Sequence, residues 1–139
     1  MSKRAAGAAT IVVVDDEPIA LEFCRSTLVR AGYHVLTASS GEQALSHFKS
    51  YGSPIDLALI DIVMPGMNGV DLVKRLEKLH AGTRIVLMSG YSPGEIKRIV
   101  ADNASSYRSM WKPFEAATLV QTVKNVLDTP IRMKAASGA

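Results

Sequence analysis

The sequence predicts an α/β fold: an open sheet of five parallel strands with five helices, for which we assume 2-1-3-4-5 out of the two common strand orders. Three observations lead there. Five short apolar runs alternate with five helix-like segments along the 139 residues. The apolar runs are nearly continuous instead of alternating with polar residues, as expected of parallel strands covered on both faces. The conspicuous polar residues, Asp15, Asp16, Asp61, Ser89 and Lys112, all fall where a strand ends. This strand order brings such positions together at the carboxyl edge of the sheet, where the chain direction reverses and ligands bind.

Taken in order, Thr10–Val14 is the first strand, TIVVV, rich in β-branched residues. Pro18 opens a helix to about Arg30, proline being favoured in the first turn. Ile19, Phe23 and Thr27 follow at helical spacing, and Gly32 stops the helix. Tyr33–Ala38 reads as the second strand. Ser40–Gly41 leads into a helix ending near Ser50. Ile55–Ile60 is the third strand, apolar on both faces apart from Asp56. Val70–His80 is helical, and Arg84–Met88 is the fourth strand. Pro93 starts a weaker helix to about Ala101. Tyr107–Trp111 is a short fifth strand, and Glu115–Leu127 is the last helix, with Leu119, Val123 and Val126 on one face. The connections are short, as one compact domain requires. We expect that domain over 10–128, with flexible ends at 1–9 and 129–139. Nothing folded fits after Asp128, so a module without an output domain of its own is expected.

Composition narrows the function. The chain is 47% hydrophobic and 21% charged, in the range of globular proteins. No apolar run approaches the roughly 18 residues of a membrane span, and MSKRAAGAAT has no apolar stretch that would make a signal peptide. The one cysteine, Cys24, lies in a helical pattern and reads as a small buried side chain. A cytoplasmic setting without membrane insertion fits these features. The net charge of +3 suggests nucleic acid, but Lys3, Arg4, Arg132 and Lys134 lie at the ends, leaving 12 basic and 13 acidic residues between Thr10 and Asp128. A nucleic-acid-binding body carries its excess charge on the fold, so this pattern argues against that partner. His34, His47 and His80 have no metal-ligand spacing, and no glycine-rich phosphate loop follows the first strand.

The polar edge has a chemistry of its own. Three carboxylates converging on one pocket suit a hard divalent cation, and Mg²⁺ accepts one or two carboxylates together with waters and phosphate oxygens. Lys112 would add positive charge, and Ser89 a hydroxyl. A carboxylate in that company is poised as a nucleophile toward phosphorus, with the metal and the lysine neutralising the transferring group. Each residue also has a plain explanation. Acids before a helix cap it and favour its dipole by about 0.3–1 kcal/mol. Asp61 could be a turn residue and Lys112 a solvated one. Three acids in a row exceed what a cap needs, and five such residues at one edge are poorly explained singly.

With these residues in place, the sequence resembles the receiver domain of bacterial two-component response regulators, a flavodoxin-like fold. The resemblance rests on VVVDDEP (Val12–Pro18), LALIDIVMPGMNG (Leu57–Gly69), VLMSGYS (Val86–Ser92) and KPF (Lys112–Phe114), in the family's order. MSGYS is most similar to receivers attached to, or working with, hybrid histidine kinases. The resemblance implies that Asp61 accepts a phosphoryl group from a histidine kinase or histidine phosphotransfer protein, with Mg²⁺ as cofactor. It implies that Asp16 binds the metal directly, that Asp15 assists, often through water, and that Val63 offers its backbone carbonyl. Ser89 would bond a phosphoryl oxygen, and Lys112 would contact the phosphoryl group, with a cis Lys112–Pro113 peptide. The new charge would switch the surface of the fourth helix, fifth strand and last helix. An effector reads that surface, and a homodimer can form through it. Such a chain promotes its own phosphorylation and dephosphorylation and is otherwise not an enzyme.

Two positions depart from the family pattern. An aromatic usually stands three residues before the lysine, and here it is Ser109, flanked by Tyr107 and Trp111. Either ring could substitute, a one-residue shift of register could account for the difference, or switching proceeds without an aromatic rotor. The positions that tune dephosphorylation, two after Asp61 and two after Ser89, are Val63 and Tyr91. Neither is an obvious group for activating water, which predicts a slowly hydrolysed phosphoryl bond. Two other functions compete. A receiver-like module could bind partners without phosphorylation, and Ser109 favours that reading for the output half. A haloacid-dehalogenase-like phosphatase also uses an aspartate and Mg²⁺ on a parallel sheet. That class places two aspartates two apart after the first strand and adds a cap, whereas Asp15 and Asp16 are adjacent. Lys97–Arg98 is an exposed basic pair on the expected fourth helix, as readily a solvated face as a docking site.

Overall fold

Thr10–Val14 forms strand β1, buried along its whole length, as a β-branched run between two neighbouring strands should be. The structure is a computed structural model and describes residues 8–79, 82–90 and 107–129. The helix expected from Pro93 to about Ala101, Tyr91, the Lys97–Arg98 pair, His80 and residues 1–7 and 130–139 lie outside the described residues. The remaining elements are α1 (Pro18–Arg30), β2 (His34–Ala38), α2 (Gly41–Ser50), β3 (Leu57–Asp61), α3 (Gly69–Leu79), β4 (Arg84–Ser89), β5 (Arg108–Trp111) and α4 (Ala116–Asp128). Four of the five expected helices therefore fall among the described residues.

The five strands form one parallel sheet in the order β2-β1-β3-β4-β5, as expected. Alternate residues of the strands feed two cores. On one face Val12, Val14, Ala58, Ile60 and Leu87 pack against Ala44 and Phe48 of α2 and Leu72 and Leu76 of α3. On the other, Ile11, Val13, Leu57, Leu59, Val86 and Met88 pack against Cys24 and Leu28 of α1 and Leu119 and Val123 of α4. Each fully buried aliphatic side chain stabilises the fold by about 1.5–3 kcal/mol over its exposed state, so the strands are held from both sides.

Local chemistry sets the boundaries. In α1, Pro18 occupies the first turn, and the chain leaves through Ala31 and Gly32, whose φ is 103°. Gly32 N donates to Val29 O and Tyr33 N to Leu28 O, satisfying carbonyls of the last turn. In α2, Ser40 Oγ accepts from Gln43 N at 3.1 Å, and Gln43 Oε1 accepts from Ser39 N at 2.6 Å. β3 starts two residues later than expected. Asp56 turns its Oδ2 to Thr10 N at 2.8 Å, and Thr83 Oγ1 donates to Ile55 O at 2.9 Å, so these two residues fasten the strand's entry.

The helical spacing of Ile19, Phe23 and Thr27 marks the helix but not its inward face: Ile19 is 81% exposed and Phe23 37%. The buried residues are Cys24, Thr27 and Leu28, with Leu21 partly buried beside them. Apolar residues wrap around PIALEFCRSTLVR, so spacing alone does not choose the inward face. Packing against the sheet chooses it.

Candidate functional site

The carboxyl ends of β1 and β3 are adjacent in the sheet, so the residues just beyond them meet. Asp15 follows β1 and is fully buried. Its backbone N–H donates to Ala38 O at 3.0 Å, extending the ladder with β2 by one rung. Asp61 ends β3, paired in register with Met88, and is 6% exposed. Asp16 is exposed beside them. One carboxylate oxygen from each of Asp15, Asp16 and Asp61 lies within 4.8 Å of the others.

β5 delivers the cation. Lys112 directly follows the strand, and its backbone N–H donates to Ser89 O at 2.8 Å. Its Nζ lies 2.6 Å from Asp15 Oδ2 and 3.3 Å from Asp61 Oδ2. The Lys112–Pro113 peptide is cis. Ser89 is 1% exposed at the end of β4, one position beyond the partner of Asp61. Val63 N donates to Asp61 Oδ1 at 3.3 Å. Asp15, Asp16, Asp61, Val63, Ser89 and Lys112 therefore converge at one edge.

The electrostatics follow from burial. Desolvation pushes the Asp61 carboxyl up to about 6; Lys112 opposes the rise and the charge of Asp15 adds to it. Burial works against the charge of Lys112, but its hydrogen bonds and ion pairs with Asp15 and Asp61 outweigh this and raise its pKa. Helix capping explains only part of the acidic run. Asp15 Oδ1 accepts from Glu17 N at 2.9 Å, while Glu17, at the N-cap, makes no side-chain capping bond.

The donor set fits a hard cation. Both oxygens of Asp15 are already engaged, by Glu17 N and Lys112 Nζ, whereas Asp16 is exposed and directed into the same cluster. All-oxygen carboxylate ligation suits Mg²⁺.

The loop after Asp61 holds features that the sequence marked only as a tight turn. Gly66 has φ 70°. Asn68 Oδ1 accepts from Asp71 N at 2.9 Å and caps α3. Gly69 N donates to Ile62 O at 2.8 Å, and a Cβ at Gly69 would collide with Asp61 O and lie 2.7 Å from Ile62 Cα. Gly69 thus lets α3 press on the backbone carrying Asp61. A second unforeseen contact joins the entry to β5 with α3: the Tyr107 hydroxyl donates to the Glu77 carboxylate. Cys24 is buried as expected; burial pushes its thiol up to about 12, with Asp15 adding and Lys112 opposing.

The sequence profile of the response regulator receiver domain matches residues 11–124. The chain belongs to the response regulator receiver domain family. It is 33% identical over 122 residues to the sensor kinase CckA of Brucella abortus, covering 88% of this chain and 13% of that protein. It is 33% identical over 131 residues to the transcriptional regulatory protein AruR of Pseudomonas aeruginosa, covering 92% of this chain and 53% of that protein. The chain thus spans about half or less of these relatives. Among solved structures, a response regulator receiver protein from Sinorhizobium medicae is 30% identical with a TM-score of 0.77, covering 90% of this chain and 98% of that one. A CheY-like receiver domain protein from Methanospirillum hungatei is 28% identical with a TM-score of 0.77, covering 88% and 95%. The receiver is a signalling module of two-component systems. No helix among its described residues is long and apolar enough to cross a membrane.

Proposed function

We propose that this receiver accepts a phosphoryl group on Asp61 and passes the change on as a signal. The observation that carries the proposal is the single cluster in which Asp15, Asp16 and Asp61 meet the Lys112 ammonium. The donor is a phosphohistidine on a histidine kinase or phosphotransfer protein. A carboxylate oxygen of Asp61 attacks phosphorus, the P–N bond breaks, and its electron pair leaves on the imidazole nitrogen, which regains a proton. Lys112 Nζ stabilises the charge that spreads over the transferring oxygens. The Ser89 hydroxyl bonds a phosphoryl oxygen after transfer.

Asp16 and Asp61 would hold Mg²⁺ directly, with the Val63 carbonyl, and Asp15 would assist. Bound Mg²⁺ supplies charge neutralisation at the phosphoryl oxygens. The chain acts in the cytoplasm as a switch, with residues 10–128 as the receiver. An effector reads, and a second copy can cover, the surface expected from the fourth helix, β5 and α4. Apart from forming and losing its own acyl phosphate, it turns over no substrate.

Intact-protein mass after incubation with acetyl phosphate tests this. The expected result is a Mg²⁺-dependent gain of one phosphoryl group, absent in Asp61→Asn. No gain, together with no Mg²⁺ binding, would leave a module that binds partners without phosphorylation.

A further inference from the structure

We propose that Gly41 and Met67 are positioning residues for the metal site: the bare Cα of Gly41 seats the Met67 side chain and so sets where the Val63 carbonyl stands. The inference rests on the reading of Asp16, Asp61 and the Val63 carbonyl as Mg²⁺ ligands. The stretch from Ile62 to Asn68 has no helix or strand to shape it. The position of the Val63 carbonyl therefore depends on how its neighbours are held. Val63 N donates to Asp61 Oδ1 at 3.3 Å. Gly69 N donates to Ile62 O at 2.8 Å, which closes the loop at its base. Ile62 and Met64, on either side of Val63, are buried in the core against α2 and α3. Met67 is partly buried against the same core.

Gly41 supplies the seat for Met67. It is buried in the first turn of α2. A Cβ there would lie 2.7 Å from Met67 Sδ and 3.1 Å from both Cβ and Cγ of Met67, closer than such atoms pack. Backbone conformation does not call for glycine at this position: among the described residues, the glycines with positive φ are Gly32 and Gly66. Alanine is also the better helix former. Room for Met67 is what the glycine provides. The segment leading to it grips the other half of the site as well. Ala38 O accepts from Asp15 N at 3.0 Å, and Ser39 and Ser40 are tied to Gln43 of α2 by hydrogen bonds. Residues 38–41 thus hold the tip of β1, with Asp15 and Asp16, on one side and the Met67 loop on the other. They fix the spacing between the carboxylates and the Val63 carbonyl, and Mg²⁺ demands near-ideal octahedral geometry.

Mg²⁺ affinity by calorimetric titration, and stability by urea melts without Mg²⁺, are measured on the full chain, Gly41→Ala, Met67→Ala and the double variant. Gly41→Ala is expected to weaken Mg²⁺ binding about tenfold, the scale on which metal sites respond to lost support of a ligand. In the Met67→Ala background the added methyl has room, and the same substitution is expected to leave the affinity unchanged, because the two residues act through one contact. A loss of stability in Gly41→Ala with unchanged affinity overturns the positioning role. Equal weakening in both backgrounds overturns the contact with Met67. Should Gly41→Ala fail to fold, Met67→Ala alone decides: weaker binding by a folded chain is expected, and unchanged affinity overturns the proposal. A parent chain that takes up no Mg²⁺ overturns the metal-site reading, and this inference with it.

Discussion

At neutral pH the Asp61 carboxylate is held against its surroundings. Its pKa is about 6 in the fold against an ordinary 3.8, chiefly through desolvation. Between those values the folded state binds more protons than the unfolded chain, so this contribution to stability is full below 3.8 and is lost as pH rises through about 6. Asp61→Asn removes the loss. In the absence of Mg²⁺ the variant is therefore expected to be more stable than the parent at pH 7.5, on the order of 2 kcal/mol, with the difference vanishing near pH 4. Thermal melts across that range check it, and added Mg²⁺ is expected to narrow the gap by binding the parent more tightly than the variant. Val63 bears on a different property. Its side chain, two residues after Asp61, is apolar and 38% exposed, with no group to orient an attacking water. Decay of the labelled acyl phosphate is expected to take well beyond seconds, and Val63→Asn is expected to shorten it. Loss of label within seconds from the parent contradicts this.

At the level of elements, α3 and the loop before it fix where Asp61 sits. Gly69→Ala forces a Cβ into Asp61 O and Ile62 Cα, and overpacking of this kind costs about 1–3 kcal/mol. Denaturant melts should show that loss together with slower phosphorylation, because the displaced backbone carries Asp61, the proposed acceptor. Tyr107→Phe removes the tie between the entry to β5 and α3 and is expected to cost about 0.5–1.5 kcal/mol, leaving the rate of phosphorylation unchanged. The sheet was legible because its strands are uninterrupted apolar runs. The face of α1 was not, because Ile19 and Leu28 are both apolar and only contact with the sheet separates the exposed residue from the buried one. Gly69 was visible as a turn residue, but its close approach to Ile62 depends on tertiary packing. Nothing in the spacing of Glu77 and Tyr107 signals that they meet across 30 residues of chain.

At the scale of the molecule, one edge of a rigid sheet assembles the site. Asp15, Asp61, Ser89 and Lys112 come from four different strand ends, and their positions follow from strand order alone once the register is set. Convergence was therefore readable in the sequence, whereas the choice of Asp15 as the tighter partner of Lys112 was not. The same rigidity ties the site to the core: Leu59→Ala, at a fully buried central position, is expected to cost about 2–5 kcal/mol and to lower Mg²⁺ binding only as the fold is lost. The central claim is that Asp61, among three clustered carboxylates, forms the acyl phosphate. Borohydride reduces an aspartyl phosphate to homoserine, so peptide mapping of the phosphorylated and reduced protein tests it most directly. Homoserine at position 61 alone is the predicted result; homoserine at position 15 or 16, or none despite a phosphoryl gain in mass, would contradict it.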